Sequence, residues 1–258
     1  MGSLTAERPS AGVVLLRFNR PERLNAIDES LAQELRTNLA GVGGDREIRV
    51  VVLTGNGRGF CSGLDMRDFG PSMPVDSAAA IDRLHFQEAM ASLPDLLRQL
   101  PQPVIAAVNG PAVGGGMALC LAADVRVCGA SASFANAAIR IGLTGAEMGM
   151  SYYLPRVVGT SVAADWMLTG RTVPAGEALR CGLVSAMVDD DRLVDHALEM
   201  AAEMATHSAL ALQLTKRALQ ANVDAPGLAA ALELENRNQL IAHSTDEAAA
   251  ARTAWARR

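Results

Sequence analysis

Aromatic side chains are scarce in this 258-residue chain: two Trp, two Tyr and five Phe. Basic clusters are absent as well, and the formal net charge is −5. Nucleic-acid recognition draws on stacking rings and basic patches, so no nucleic-acid partner is expected. No apolar run approaches the length of a membrane span, and residues 1–10 lack the apolar core of a signal peptide, so no membrane partner is expected. The only cysteines are Cys61, Cys120, Cys128 and Cys181, without Cys-x-x-Cys spacing. Scattered thiols in a chain of this length read as reduced, which implies a cytoplasmic protein. No cluster of His, Cys or carboxylates has ligand spacing, so no metal is expected. The phosphate-binding patterns GxxxxGK[ST] and GxGxxG are also missing.

What the chain has is apolar material, half of its residues, arranged around residues 103–127. Residues 104–108 form a short β-branched run that reads as a buried strand. Asn109, Gly110 and Pro111 break it, because Gly permits positive φ and Pro fixes its own. Gly114, Gly115 and Gly116 follow, and residues 117–123 have helical composition. A strand, a glycine bend and a helix start gather unpaired N–H groups at one point, with the positive end of a helix dipole. The glycines serve equally well for close packing of helix on strand.

In chain order, residues 12–19 read as a first strand and residues 20–26 as a polar loop. Asp28 caps a helix whose apolar side carries Leu31, Leu35 and Leu39. Residues 49–54 make a second buried strand, followed by the glycine-rich segment 55–65. Residues 67–80 read as a mobile loop, and residues 78–100 as a helix that Pro94 kinks or breaks near Leu93. Residues 125–128 are a further short strand. From Met150 onward amphipathic helices take over, with Leu193, Ala197, Met200, Ala201 and Met204 on one face. This divides the chain into an α/β part, residues 1–190, and a helical part, residues 191–258.

Two glycine turns after two strands suggest one shared task. Each can offer a backbone N–H, one at Leu64 and one at Gly115, to the same oxygen. Two such donors make an oxyanion hole, which matters where negative charge develops on a carbonyl oxygen.

Three strings in order, Arg20-Pro-Glu-Arg-Leu-Asn-Ala, Leu53-Thr-Gly-Asn-Gly-Arg-Gly-Phe-Cys-Ser-Gly-Leu-Asp, and Pro103-Val-Ile-Ala-Ala-Val-Asn-Gly with Gly114–Gly116, strongly resemble the crotonase superfamily of enoyl-CoA hydratases and isomerases. A later Gly182-Leu-Val-Ser extends the resemblance over about residues 10 to 240. The resemblance implies a spiral of ββα units with C-terminal helices that build a homotrimer or a dimer of trimers. It implies an acyl-CoA thioester substrate whose carbonyl sits between the N–H groups of Leu64 and Gly115. Arg23, Leu24, Ala26, Asp65 and Met66 match the family's coenzyme A contacts. Coenzyme A is then part of the substrate, and no separate cofactor is expected.

The departures from the family pattern bear on the reaction. Where the family's hydratases carry two water-activating glutamates, this chain has Ala118 and Ala138. Glu147 falls near the place where one-acid isomerases of the family carry an Asp or Glu. Set among Leu143, Met148 and Met150, a half-buried carboxyl there would have a raised pKa, suited to accepting and returning a proton. A solvated loop carboxylate is the bland alternative. Three readings follow: a one-acid enoyl-CoA isomerase using Glu147, an enoyl-CoA hydratase of the fatty acid β-oxidation type, and a non-catalytic acyl-CoA-binding protein. The acyl pocket is expected from residues 67–93 and 134–153.

Overall fold

A computed structural model describes residues 2–69 and 80–257. Strands β1 (Leu4–Ser10) and β2 (Val13–Phe18) precede helix α1 (Glu29–Gly44), strand β3 (Val50–Gly55) and a turn segment that leads into α2 (Met66–Phe69). Helix α3 (Ala80–Gln99) leads to β4 (Val104–Val108), β5 (Pro111–Val113), α4 (Gly115–Ala122), β6 (Val125–Gly129) and β7 (Ser133–Ala135). Then come α5 (Met150–Val158), α6 (Thr160–Thr169), β8 (Val173–Pro174), α7 (Ala175–Arg180) and β9 (Ala186–Val188). Helices α8 (Leu193–Ala205), α9 (Ala209–Asn222), α10 (Leu228–His243) and α11 (Asp246–Trp255) complete the chain.

The larger sheet has the order β1-β2-β3-β4-β6-β9, antiparallel at the β1–β2 edge and parallel from β2 onward. Parallel strands covered on both faces read as unbroken apolar runs, which is why Val50 to Leu53 and Val104 to Val108 are wholly buried. The two faces divide by alternation. Val51, Leu53, Val104, Ala106 and Val108 pack with α1, α3 and α4, whereas Val50, Val52, Ile105 and Ala107 pack with Leu193, Ala197 and Ala201 of α8. Helix α8 therefore completes the sheet's second layer, α9 reaches it through Leu212, and the outward faces of α9 and α10 stand away from it. Their apolar side chains Leu219, Leu228 and Leu240 are exposed.

A second, three-stranded sheet, β5-β7-β8, is joined to the glycine-rich segment after β3 by a bridge between Cys61 and Ala112. Neither β1 nor β7 announces itself by an apolar run, because only Leu4 of β1 is buried and β7 spans three residues. Pro94 does not break its helix: α3 continues through it to Gln99. A proline costs a helix one N–H donor and a local clash. Here Met90, Leu93 and Leu97 are buried on either side of it and hold the helix to the core. Part of the expected 67–80 loop is the helical turn α2, and residues 70–79 lie outside the described residues.

Candidate active site

The first loop, residues 20–27, is built around a side chain that sequence reading passed over. Asn25 is completely buried; its Oδ1 accepts the Arg20 N–H at 2.9 Å, and its Nδ2 donates to the carbonyls of Asn56 at 3.0 Å and Gly59 at 2.7 Å. These bonds hold Leu24 and Asn25 in the left-handed region, at φ 49° and 56°. That conformation is uncommon for residues other than glycine. The amide thus ties the first loop to the glycine segment after β3. The signal was present as an Asn in a polar loop, since Asn both tolerates αL and bonds backbone locally.

Asp65 completes the tie. It is 2% exposed, receives Arg23 Nη2 at 2.5 Å and Nε at 3.2 Å, and also faces Arg20 Nη2 at 3.2 Å. The Arg23 hydrogen bond chiefly holds its carboxyl below the ordinary value, against the opposing effect of burial. Arg23, Leu24, Ala26, Asp65 and Met66 line one open cleft of about 420 Å³, together with Arg58 and Arg67. The Asp65 carboxylate is engaged by the two arginines, whereas Met66 stands 49% exposed on the cleft rim. Arg58 is a cationic side chain on this cleft that motif matching had not singled out.

Leu64 forms a parallel bridge with Ile27: the Ile27 N–H donates to Gly63 O at 2.7 Å and the Asp65 N–H donates to Ile27 O at 2.9 Å. In a parallel bridge the bracketed residue turns its own N–H to the opposite side. The Leu64 N–H accordingly has no acceptor among the described residues. Helix α4 begins at Gly115, two residues earlier than composition suggests, which makes the Gly115 N–H one of the unpaired donors of a helix start. Gly63, at φ 89°, brings the two together: a Cβ there would lie 3.3 Å from Gly115 N and 2.8 Å from Val113 O. Only glycine fits a left-handed backbone pressed that closely on another.

Glu147 reaches the same point. A Cβ on Gly114 would sit 3.8 Å from Glu147 Oε1 and 4.0 Å from the Cα of Gly63. The carboxylate is half-buried and has no hydrogen-bond or ion-pair partner among the described residues. Burial raises its pKa above the ordinary value. What places it is a turn in which the Met150 N–H donates to Glu147 O at 2.8 Å, with Met148 at φ 48° and Gly149 at φ 82°. Positive φ at both central residues is the mark of a type I′ turn. Met148 is buried and its Sδ would lie 3.2 Å from a Cβ on Gly115, so the turn packs directly on the helix start.

Ala118 lies one helical turn after Gly114, its N–H bonded to Gly114 O at 3.0 Å, and is fully buried. Ala138 is 8% exposed at the start of a 3₁₀ turn. Neither can move a proton. Cys61, beside the glycine turn, is fully buried, and burial pushes its thiol up to about 12, which leaves it protonated and unreactive. The site therefore offers two unused backbone donors, one unpaired carboxylate of raised pKa, and a cleft rimmed by cations.

The sequence profile described as enoyl-CoA hydratase/isomerase matches residues 8–258 of the chain. The chain is 45% identical over 251 residues to the probable enoyl-CoA hydratase EchA12 of Mycobacterium tuberculosis, covering 95% of this chain and 88% of that protein. A crystal structure of a putative enoyl-CoA hydratase from Streptomyces coelicolor superposes with a TM-score of 0.91 at 38% identity, covering 99% of this chain and 91% of that one. A monofunctional enoyl CoA isomerase from Mycobacterium smegmatis superposes with a TM-score of 0.76 at 41% identity, covering 90% of this chain and 99% of the other.

Proposed function

The chain belongs to the enoyl-CoA hydratase/isomerase family, of crotonase fold, and within it we propose an enoyl-CoA double-bond isomerase that works with one acid–base group, Glu147. The observation that carries this reading is the unpaired, half-buried Glu147 carboxylate beside Gly114, with alanines at 118 and 138. In the proposed reaction the thioester oxygen lies between the Leu64 and Gly115 N–H groups. Glu147 takes a proton from C2 of a 3-enoyl thioester, and the C–H electrons delocalise into a dienolate with negative charge on that oxygen. The charge is stabilised most where the donors are already aimed, an effect worth roughly 10²- to 10³-fold in rate per donor. The carboxylic acid then returns the proton to C4 as the C2–C3 double bond forms, so atoms and electrons balance with no further group. The 420 Å³ cleft between Arg23, Arg58 and Met66 receives the coenzyme A part of the substrate.

Hydration is the second reading, favoured by the name of the M. tuberculosis relative. It requires a positioned water as well as a proton donor. The test is to give the purified protein a 3-enoyl-CoA and, separately, a 2-enoyl-CoA. Faster production of the 2-enoyl isomer than of the 3-hydroxy product is expected. Hydration without isomerisation would replace the first reading by the second, and binding without either would leave an acyl-CoA-binding protein.

The same reading includes assembly. Leu219, Leu228 and Leu240 are 69%, 75% and 73% exposed on α9 and α10, and a helical segment so apolar gains by burial against another copy. A homotrimer or a dimer of trimers is expected in sedimentation equilibrium at micromolar concentration. A monomer there would remove this part of the proposal.

A further inference from the structure

At the far end of α4 from Gly115, a second cavity of about 210 Å³ is closed by α3, α5 and α9. Eight residues of helix separate it from the oxyanion donors by about 12 Å. Three guanidinium groups face it, those of Arg98, Arg126 and Arg156. Arg156 is matched by Asp224 at 3.0 Å. Among the described residues the other two form no ion pair with a carboxylate. The Arg126 side chain donates, among the described residues, to the carbonyls of Leu183 and Ala123, each at 2.7 Å. Arg98 makes no side-chain hydrogen bond among the described residues; its Cζ rests 4.9 Å from the centroid of the Tyr153 ring.

The nearby carboxylates are already used. Asp124 Oδ2 accepts the Val104 N–H at 2.8 Å and pairs with Lys216 Nζ at 2.8 Å, and its Oδ1 accepts Gln220 Nε2 at 3.3 Å. Asp95 accepts Gln99 Nε2 at 2.6 Å. Burial pushes the Arg126 guanidinium below its ordinary value; Cys120 and Asp124 oppose that and the Arg98 charge adds to it. Two like charges are thus held toward one half-enclosed space whose other walls are tyrosine rings and apolar side chains, with the already engaged Asp124, Gln220 and Arg156. A burial of this kind is costly unless an anion joins it.

We propose that the cavity between Arg98, Arg126 and Tyr153 is a binding site for a phosphate-class anion, separate from the thioester site. Guanidinium groups suit such an anion because their planar fork donates two parallel bonds to its oxygens. Free inorganic phosphate and the phosphoryl group of a larger molecule offer the same chemistry. The proposal is independent of which reaction the oxyanion site performs.

Calorimetric titration of the full chain with inorganic phosphate, and in a second arm with adenosine monophosphate, tests it without any acyl-CoA present. Saturable one-to-one binding in at least one arm is expected, weakening as salt is raised. Arg98→Gln should weaken it about tenfold or more, the loss of charge-assisted hydrogen bonding. The Arg98 side chain makes no hydrogen bond among the described residues, its carbonyl keeps the bond from Gln220 Nε2 in the variant, and an unchanged melting temperature would establish that the variant is folded. Arg98→Lys should retain part of the affinity. Arg58→Gln, on the coenzyme A cleft, should leave the binding of inorganic phosphate unchanged. Phosphate preferred over the monophosphate identifies the free ion as ligand; the reverse identifies a phosphorylated molecule. Absence of saturable binding in both arms, unchanged binding in Arg98→Gln, or loss in Arg58→Gln instead, would overturn the proposal.

Discussion

Glu147→Gln should lower turnover of a 3-enoyl-CoA by about 10²-fold or more while leaving acyl-CoA binding nearly intact. The amide keeps the size and position of the side chain in the Glu147–Met150 turn but cannot accept and return a proton. In steady-state terms kcat falls and the dissociation constant for a non-reacting acyl-CoA holds. The pH dependence follows from burial, which raises the Glu147 pKa above 4.5. The base must be ionised to act, so the acid limb of kcat/KM is expected above the ordinary carboxylate range. The stability sign is opposite to the usual carboxylate case. A carboxyl whose folded pKa is raised holds its proton more tightly when folded, so its contribution declines as pH rises from 4.5 through the folded pKa. At neutral pH Glu147→Gln is therefore expected to melt no lower than the wild type, and full activity in the variant would take Glu147 out of the mechanism.

Asp65→Ala carries the larger stability effect, an expected loss of about 3–5 kcal/mol in denaturant unfolding, the range for removing one partner of a buried ion pair. Asp65 accepts Arg23 and faces Arg20, whose side chain also reaches Asp28 at 3.0 Å and Ala26 O at 2.5 Å. Without the carboxylate the first loop loses its charge tie to the second glycine turn, and the cleft wall opens. KM for acyl-CoA should rise along with the loss of stability. The Asp65 pKa is lowered, so its stabilisation is fully present above 3.8 and is lost as pH falls through the folded value. The difference in stability between wild type and Asp65→Ala should accordingly shrink in acid. An unfolding curve unchanged at neutral pH would show that the arginines find other partners.

The linear order of residues was enough to determine the strands β2, β3, β4 and β6, because a strand covered on both faces reads as a near-continuous apolar run, interrupted in β2 by Arg17 and in β6 by Arg126, and stands out without any partner being known. The stripe of α8 was legible for a related reason: Leu193, Ala197 and Ala201 recur on one side of a helix whatever they pack against. The glycine turns at 63 and 114–116 could be read as places where backbone donors are exposed, since glycine marks close approach wherever it occurs. Tertiary structure decided the rest. That α3 runs through Pro94 depends on burial of Met90, Leu93 and Leu97, which supplies stability that local propensity withholds. That Asn25 organises the first loop depends on carbonyls more than thirty residues away. The Glu147 carboxylate meets the Gly114 turn because a left-handed Met148 packs on Gly115, a contact between segments 33 residues apart (148 − 115) that no local pattern encodes. Local sequence sets which conformations are cheap; which of them coexist is set by long-range packing, and the Glu147 carboxylate and the N–H groups of Leu64 and Gly115 become neighbours only there.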